Sequence, residues 1–256
     1  ACAPACADTA DRSHADRRAP VEGLNAIGEP DCLGCSYGCR PGRSPHAAVD
    51  ALYTGLLTRK GNGGLEADSR GSFDALDHGG VVPCVEHRVA DRRAVPAGRQ
   101  VGRLIQKWLN AGVLEDGTRT WSEQGTPQGG SISPLLANVY LHYAFDLWVQ
   151  RWRKTHAHGD VIVVRYADDF IVGFQHREEA ERFLAELRER LAKFSLELHP
   201  DKTRLLLLGP YAAEHRGRAG EGKPETFDFL GFTHICGKKR NGRFTVVRQP
   251  IRKRLQ

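Results

Sequence analysis

The run VIVVRYADDFIVGF (161–174) places two adjacent carboxylates, Asp168 and Asp169, between two stretches of strand-forming residues. Val161, Ile162, Val163 and Val164 predict one buried strand, and Phe170, Ile171, Val172 and Phe174 predict the next, with room for only a tight turn between them. The carboxylates therefore sit at a hairpin tip. Like charges at a turn repel unless water or a cation lies between them, and a divalent ion that takes hard oxygen ligands, such as Mg²⁺, favours both ionised forms. An ordinary Asp-rich turn facing water is the competing reading, against which the apolar flanks argue.

The chain has 256 residues, enough for one large domain or two smaller ones. Its net charge of +6 suits a polyanionic partner, although an excess of that size does not by itself select nucleic acid. Apolar runs all fall short of a bilayer span, and the Ala-, Asp- and Arg-rich start lacks the apolar centre of a secretory signal. These features read as a cytoplasmic chain with no membrane partner. Among seven cysteines, Cys32, Cys35 and Cys39 stand at C-x-x-C-x-x-x-C spacing. A zinc site would need a fourth ligand from Cys2, Cys6, His46 or Cys84, and with no second close pair, reduced thiols are the favoured reading.

Residues 1–16 hold few large apolar groups and are assigned no structure. Ser44 and Pro45 form a cap and first-turn pair for a helix over 46–57, with Val49, Leu52 and Leu56 on its apolar stripe. A short strand is expected over 65–69, a short helix over 77–87, and a firmer helix over 101–110 ended by Gly112. GTPQGG (125–130) is irregular. Ser133 and Pro134 then open a long helix through Tyr140, Tyr143, Leu147 and Trp148. An amphipathic helix covers 177–193, strands are expected over 205–208 and 227–235, and 243–248 pairs back across Asn241 and Gly242.

A second source of carboxylate lies about a hundred residues upstream, where Asp68 ends the strand begun by Leu65. Two-metal phosphoryl transfer needs carboxylates from at least two elements, and Asp68 with Asp168 would provide them. Asp68 as a helix cap is the alternative, and Asp74 and Asp77 compete for either role; spacing alone leaves these open.

Six blocks in order resemble the reverse transcriptases encoded by group II introns: SYGCRPGRSPHAAVDAL (36–52), EADSRGSFDALDH (66–78), EQGTPQGGSISPLLANVYLH (123–142), VVRYADDFIVGF (163–174), LELHPDKTR (196–204) and FDFLGF (227–232). The resemblance implies an α+β fold, the fingers and palm of a right-hand polymerase, with an antiparallel palm sheet packed on helices. It divides the chain into an unassigned leader (1–16), partial fingers (17–62) and a palm with finger elements (63–256), the thumb being absent. It implies an RNA-directed DNA polymerase in which Asp68, Asp168 and Asp169 are catalytic and hold two Mg²⁺ ions. The partners implied are an RNA template, a DNA primer, a dNTP and the intron RNA.

Other positions carry over one at a time. Phe73 matches the aromatic that crowds the sugar 2′ position, Gln128 with Gly129 matches a loop that contacts the incoming nucleotide, and Arg40 and Arg43 match a finger segment that meets its triphosphate. Lys202, on a loop, is expected to contact the nucleic-acid backbone. Glycines in the 125–130 loop admit close backbone approach, and arginine forks complement phosphate. FDFLGF reads either as a segment near the primer end or as a strand-turn-strand piece of core. The sequence also departs from the family: Cys32, Cys39 and Ser72 stand where it usually has Phe, Ser69 where it has a large aliphatic, and Gly28, Gly63, Gly64, Gly79 and Gly80 where larger residues are usual. Losing most of a buried aromatic costs roughly 3–5 kcal/mol, so the fingers are expected to be weakened. An active enzyme and a non-catalytic or decayed nucleic-acid-binding fragment both remain open at this level.

Overall fold

Ser44 Oγ accepts the Ala47 amide proton at 3.1 Å and Pro45 opens the first helix, α1 (Pro45–Thr58), whose stripe of Ala48, Val49, Leu52 and Leu56 is buried. The computed structural model describes Glu29 and residues 32–59, 63–70, 78–90, 113–115, 118–120, 133–207 and 225–251. Strand β1 (Gly63–Arg70), helix α2 (His78–Ala90) and a short antiparallel ribbon of β2 (Val113–Glu115) and β3 (Thr118–Thr120) follow. The expected helix over 101–110 and the GTPQGG loop lie outside the described residues.

The single long helix expected from Ser133 is divided. Helix α3 (Ser133–Leu141) passes through a π-helical turn (His142–Asp146) into α4 (Leu147–Thr155). The wider turn holds four buried side chains, His142, Ala144, Phe145 and Asp146. Strands β4 (Val161–Tyr166) and β5 (Asp169–Phe174) form the expected hairpin, and α5 (Arg177–Ala192) follows with Ala180, Phe183, Leu187 and Leu191 buried at helical spacing. Next come β6 (Glu197–Leu198), β7 (Arg204–Leu206), β8 (Thr226–Phe229), β9 (Phe232–Lys238) and β10 (Phe244–Pro250).

The strand expected over 227–235 is a hairpin, the strand-turn-strand reading of FDFLGF. Leu230 (φ 51°) and Gly231 (φ 86°) both occupy the left-handed region, the requirement of a two-residue turn that matches strand twist, and Phe229 pairs with Phe232 across it.

The central sheet runs β4-β5-β1 and is antiparallel throughout, with the outer edge of β1 shared between β7 along Gly64–Glu66 and β6 along Ser69–Arg70. Both faces are covered, which is why its strands read as unbroken apolar runs rather than alternations. Val161, Val163, Phe170, Val172 and Phe174 join Leu65 and Ala67 against α3, α4 and α5, in a core that includes Trp152 and Phe183 with ring centroids 5.0 Å apart. Val164 and Ile171 face the other way, toward α1 and the β8–β10 sheet.

The expected weakening of the fingers needs one correction. Cys39 is exposed and has a left-handed φ of 52°, so no buried aromatic is missing from that position. Gly63 and Gly64 are buried within β1. The cysteines among the described residues are reduced thiols, and burial, with the charge of Asp146 behind it, pushes the Cys35 thiol up to about 11. Among the described residues no helix is long and apolar enough to cross a membrane.

Candidate active site

Residue parity along β1 decides what its edge presents. Leu65 and Ala67 point into the helical core, so Glu66 and Asp68 point to the opposite face. Asp68 is the direct cross-strand partner of Asp169, the first residue of β5, and Asp169 also pairs with Tyr166 at the end of β4. Opposed side chains of an antiparallel pair have Cβ atoms roughly 4.5–5.5 Å apart, a separation at which like charges are destabilising. Asp168 occupies the turn between the strands and is half-buried. Burial, with the negative charge of Asp68 adding to it, holds the Asp168 carboxyl above its ordinary range, although a backbone hydrogen bond opposes the shift. The three predicted carboxylates thus belong to one end of one sheet.

A cation already answers part of this charge. The loop from β6 to β7 crosses the end of β1, where the His199 amide donates to the Asp68 carbonyl at 2.8 Å, and Thr203 closes the loop through its amide (3.0 Å) and hydroxyl (2.7 Å), both donating to the His199 carbonyl. That loop carries Lys202, whose Nζ donates to Asp68 Oδ2. The hydrogen bond to Asp68, together with the charges of Asp68, Asp169 and Asp168, raises the lysine pKa. The lysine remains 60% exposed and Asp68 only 13%, so the pair lies at the wall of a cleft open to solvent. Among the described residues no set of three or more His, Cys, Asp or Glu side chains is gathered closely enough to hold a metal ion. Asp68 is directed at the ammonium instead.

The cleft has a volume of about 380 Å³ and is lined by Glu66, Asp68, Asp169, Asp201 and Asp228 against Lys202 and Arg204. Arg204 Nη2 pairs with Glu66 Oε2 at 2.6 Å, and Glu66 Oε1 accepts the Asp228 amide proton at 3.3 Å. Three of these acids were not among the residues singled out from sequence. Glu66 was within reach, because a strand places every second residue on one face and Glu66 precedes Asp68 by two. Asp201 and Asp228 arrive from distant loops and strands with no local signal.

The finger residues separate. Arg40 is only 6% exposed, its Nε and Nη2 bind Glu29, and Nη1 donates to the Leu33 and Ser36 carbonyls at 2.9 and 2.5 Å. The guanidinium of Arg40 ties its own loop together. Arg43 is exposed, with its guanidinium carbon 4.9 Å from the Tyr37 ring centroid. Phe73, Gln128 and Gly129 lie outside the described residues.

A family model described as reverse transcriptase (RNA-dependent DNA polymerase) matches residues 25–234. Protein YkfC of Escherichia coli (strain K12) is 30% identical over 242 residues, covering 80% of this chain and 62% of that protein. Group II intron-encoded protein LtrA of Lactococcus lactis subsp. cremoris is 37% identical over 123 residues, 46% of this chain and 18% of its own length. The chain therefore spans less than two thirds of either relative. Among solved structures, apo telomerase from Candida Tropicalis truncated from its C-terminal domain superposes with a TM-score of 0.64 over 92% of this chain and 45% of that one. At 13% identity that likeness is one of fold alone.

Proposed function

The chain belongs to the reverse transcriptase family, RNA-directed DNA polymerases with an α+β fingers and palm fold, and from that premise we propose that it carries the nucleotidyl-transfer site of a group II intron protein. One observation carries the reading most: Asp68 and Asp169 are paired across β1 and β5, with Asp168 in the adjoining turn. The donor chemistry suits hard divalent cations, since Asp68 and Asp169 line a solvent-open cleft with Asp168 in the turn beside it, and a lysine ammonium already lies against Asp68. Asp68, Asp168 and Asp169 would hold two Mg²⁺ ions, which when bound supply activation of a primer 3′-hydroxyl and neutralisation of developing phosphate charge.

The chain's own groups do the remaining work. Burial on both faces makes β4, β5 and β1 a rigid platform, so the backbone that carries the carboxylates needs little ordering when substrate binds. Lys202, released from Asp68, is placed at the rim to contact a phosphate. Arg43 is the finger cation left exposed for a triphosphate. Phe73 at the sugar and Gln128 with Gly129 at the incoming nucleotide follow from the family pattern. The template is RNA, the primer DNA and the substrate a dNTP, with intron RNA as the larger partner.

Primer extension on an RNA template with Mg²⁺ tests the reading, preceded by a melt to establish cooperative folding. Product from the wild-type chain that disappears in Asp168→Asn supports it. A chain that melts cooperatively, binds primer-template and yields no product is the non-catalytic fragment instead.

A further inference from the structure

Arg165 precedes Asp168 by three residues and is 1% exposed, yet every one of its five N–H donors has an acceptor. Nε and one Nη2 proton go to the two oxygens of Asp146, both at 2.7 Å, and the other Nη2 proton goes to Ser36 Oγ at 2.8 Å. Nη1 donates to Asn138 Oδ1 at 2.9 Å and to the Ala167 carbonyl at 2.8 Å. The backbone is held as well. The Arg165 amide donates to the Cys35 carbonyl and the Tyr37 amide donates to the Arg165 carbonyl, each at 2.8 Å. Asn138 Nδ2 in turn donates to the Gly38 carbonyl at 2.5 Å, so the 36–38 loop, helix α3 and the π turn all meet on this one residue.

Ala167 is the acceptor with consequences for chemistry. Its φ of +55° lies in the left-handed region, which an L-residue with a Cβ enters only when its surroundings hold it there. The guanidinium holds its carbonyl. On the other side, Gly38 packs so closely that a Cβ at that position would lie 2.2 Å from the Ala167 nitrogen. The residue next to the paired aspartates is therefore gripped from both sides.

We propose that Arg165 is a positioning residue which, with the 36–38 loop, imposes the conformation of the Ala167–Asp168 turn and so places the Asp168 and Asp169 carboxylates; the inference rests on reading those carboxylates as cation-holding. Lysine at 165 keeps a positive charge for Asp146 but has no planar fork to bind Asp146 and Ala167 together. Glycine at 167 takes a left-handed φ without help.

Mn²⁺ titration of the full chain, followed by the loss of its free-ion EPR signal and run beside thermal melts, tests this. Arg165→Lys weakens Mn²⁺ binding about tenfold, and Ala167→Gly added to it restores binding to within about threefold of wild type, whereas an arginine that only stabilises the core predicts no recovery. Gly38→Ala forces the turn from its other side and weakens binding by about tenfold while the melt stays cooperative. No recovery in the double variant, or wild-type affinity in a folded Gly38→Ala chain, overturns the proposal. If both single variants fail to fold, amide exchange in the wild-type chain decides: peptides covering 35–39 and 165–170 open as one unit, and independent opening overturns the proposal. A wild-type chain that binds no Mn²⁺ refutes the polymerase site itself. The positioning claim is then judged by exchange at 165–170, which Arg165→Lys must accelerate by about tenfold while leaving β9 and β10 unchanged.

Discussion

Two hairpins of this molecule turn in two residues and meet the same stereochemical demand by different means. At β8–β9 the left-handed positions are Leu230 and Gly231, and one of the two is met by residue type alone. At β4–β5 the left-handed residue is Ala167, with an aspartate beside it, and the conformation is supported by a buried arginine and a closely packed glycine from a segment more than a hundred residues away. The β8–β9 turn is only half specified locally, since Leu230 packs against the core and the Gly231 carbonyl accepts the Ile251 amide proton at 3.1 Å. A turn that must present carboxylates draws its support from the tertiary structure, and the strain at such sites is borne by surrounding contacts.

Asp146→Asn separates the two turns most sharply. It leaves the Arg165 guanidinium buried without its counter-ion and should cost about 3–5 kcal/mol in denaturant unfolding. Burial alone would raise the Asp146 carboxyl, but Arg165 outweighs it and holds the group below its ordinary range. With the folded pKa below the unfolded one, the contribution is complete above about pH 4 and is lost as pH falls through the folded value, so the acid limb of the stability profile should be shallower in Asp146→Asn.

Gly231→Ala comes next. An L-residue forced to φ 86° should cost about 1–2 kcal/mol, with a lowered melting temperature and no change in Mn²⁺ binding, because that hairpin carries none of the three carboxylates proposed to hold cations. Asp168→Asn works in the opposite direction. It removes a charge disfavoured by burial and by Asp68, so the metal-free chain should gain about 1 kcal/mol at neutral pH while primer extension disappears. The folded pKa here lies above the unfolded one, so the wild type should close this gap as pH falls through the folded value. Gly63→Ala is the smallest change. A Cβ there would meet Ala180 Cβ and Arg177 Cα at 3.8 Å, ordinary contact, and replacing the glycine that opens β1 should add about 0.5 kcal/mol, read as a small rise in melting temperature.

Much of this was legible because it was local. The Ser44 cap, the period of α5 and the two apolar arms around Asp168 and Asp169 each specify an element within one short stretch of chain. The strand containing Asp68 was equally visible, and the family resemblance joined it to the hairpin. What the sequence hid was set at long range. No glycine or proline marks the π turn at 142–146; its buried Asp146 faces Arg165, nineteen residues on. Lys202 reads as a surface cation until the β6–β7 loop carries it over Asp68, 134 residues away. At Arg40 the sequence cannot show that Glu29 and two carbonyls already engage the guanidinium.

Under the proposed function, the Lys202–Asp68 contact would make the cleft an ion exchanger. A diffusible divalent cation arriving at Asp68 would displace a counter-ion that is tethered to the same chain, whose effective concentration is on the order of millimolar and does not fall on dilution. Apparent affinity for the metal would then be the difference between two bindings. The displaced ammonium would stay within reach of the cleft, so each cation that enters would leave a second positive charge at the rim, where an incoming polyphosphate would meet it.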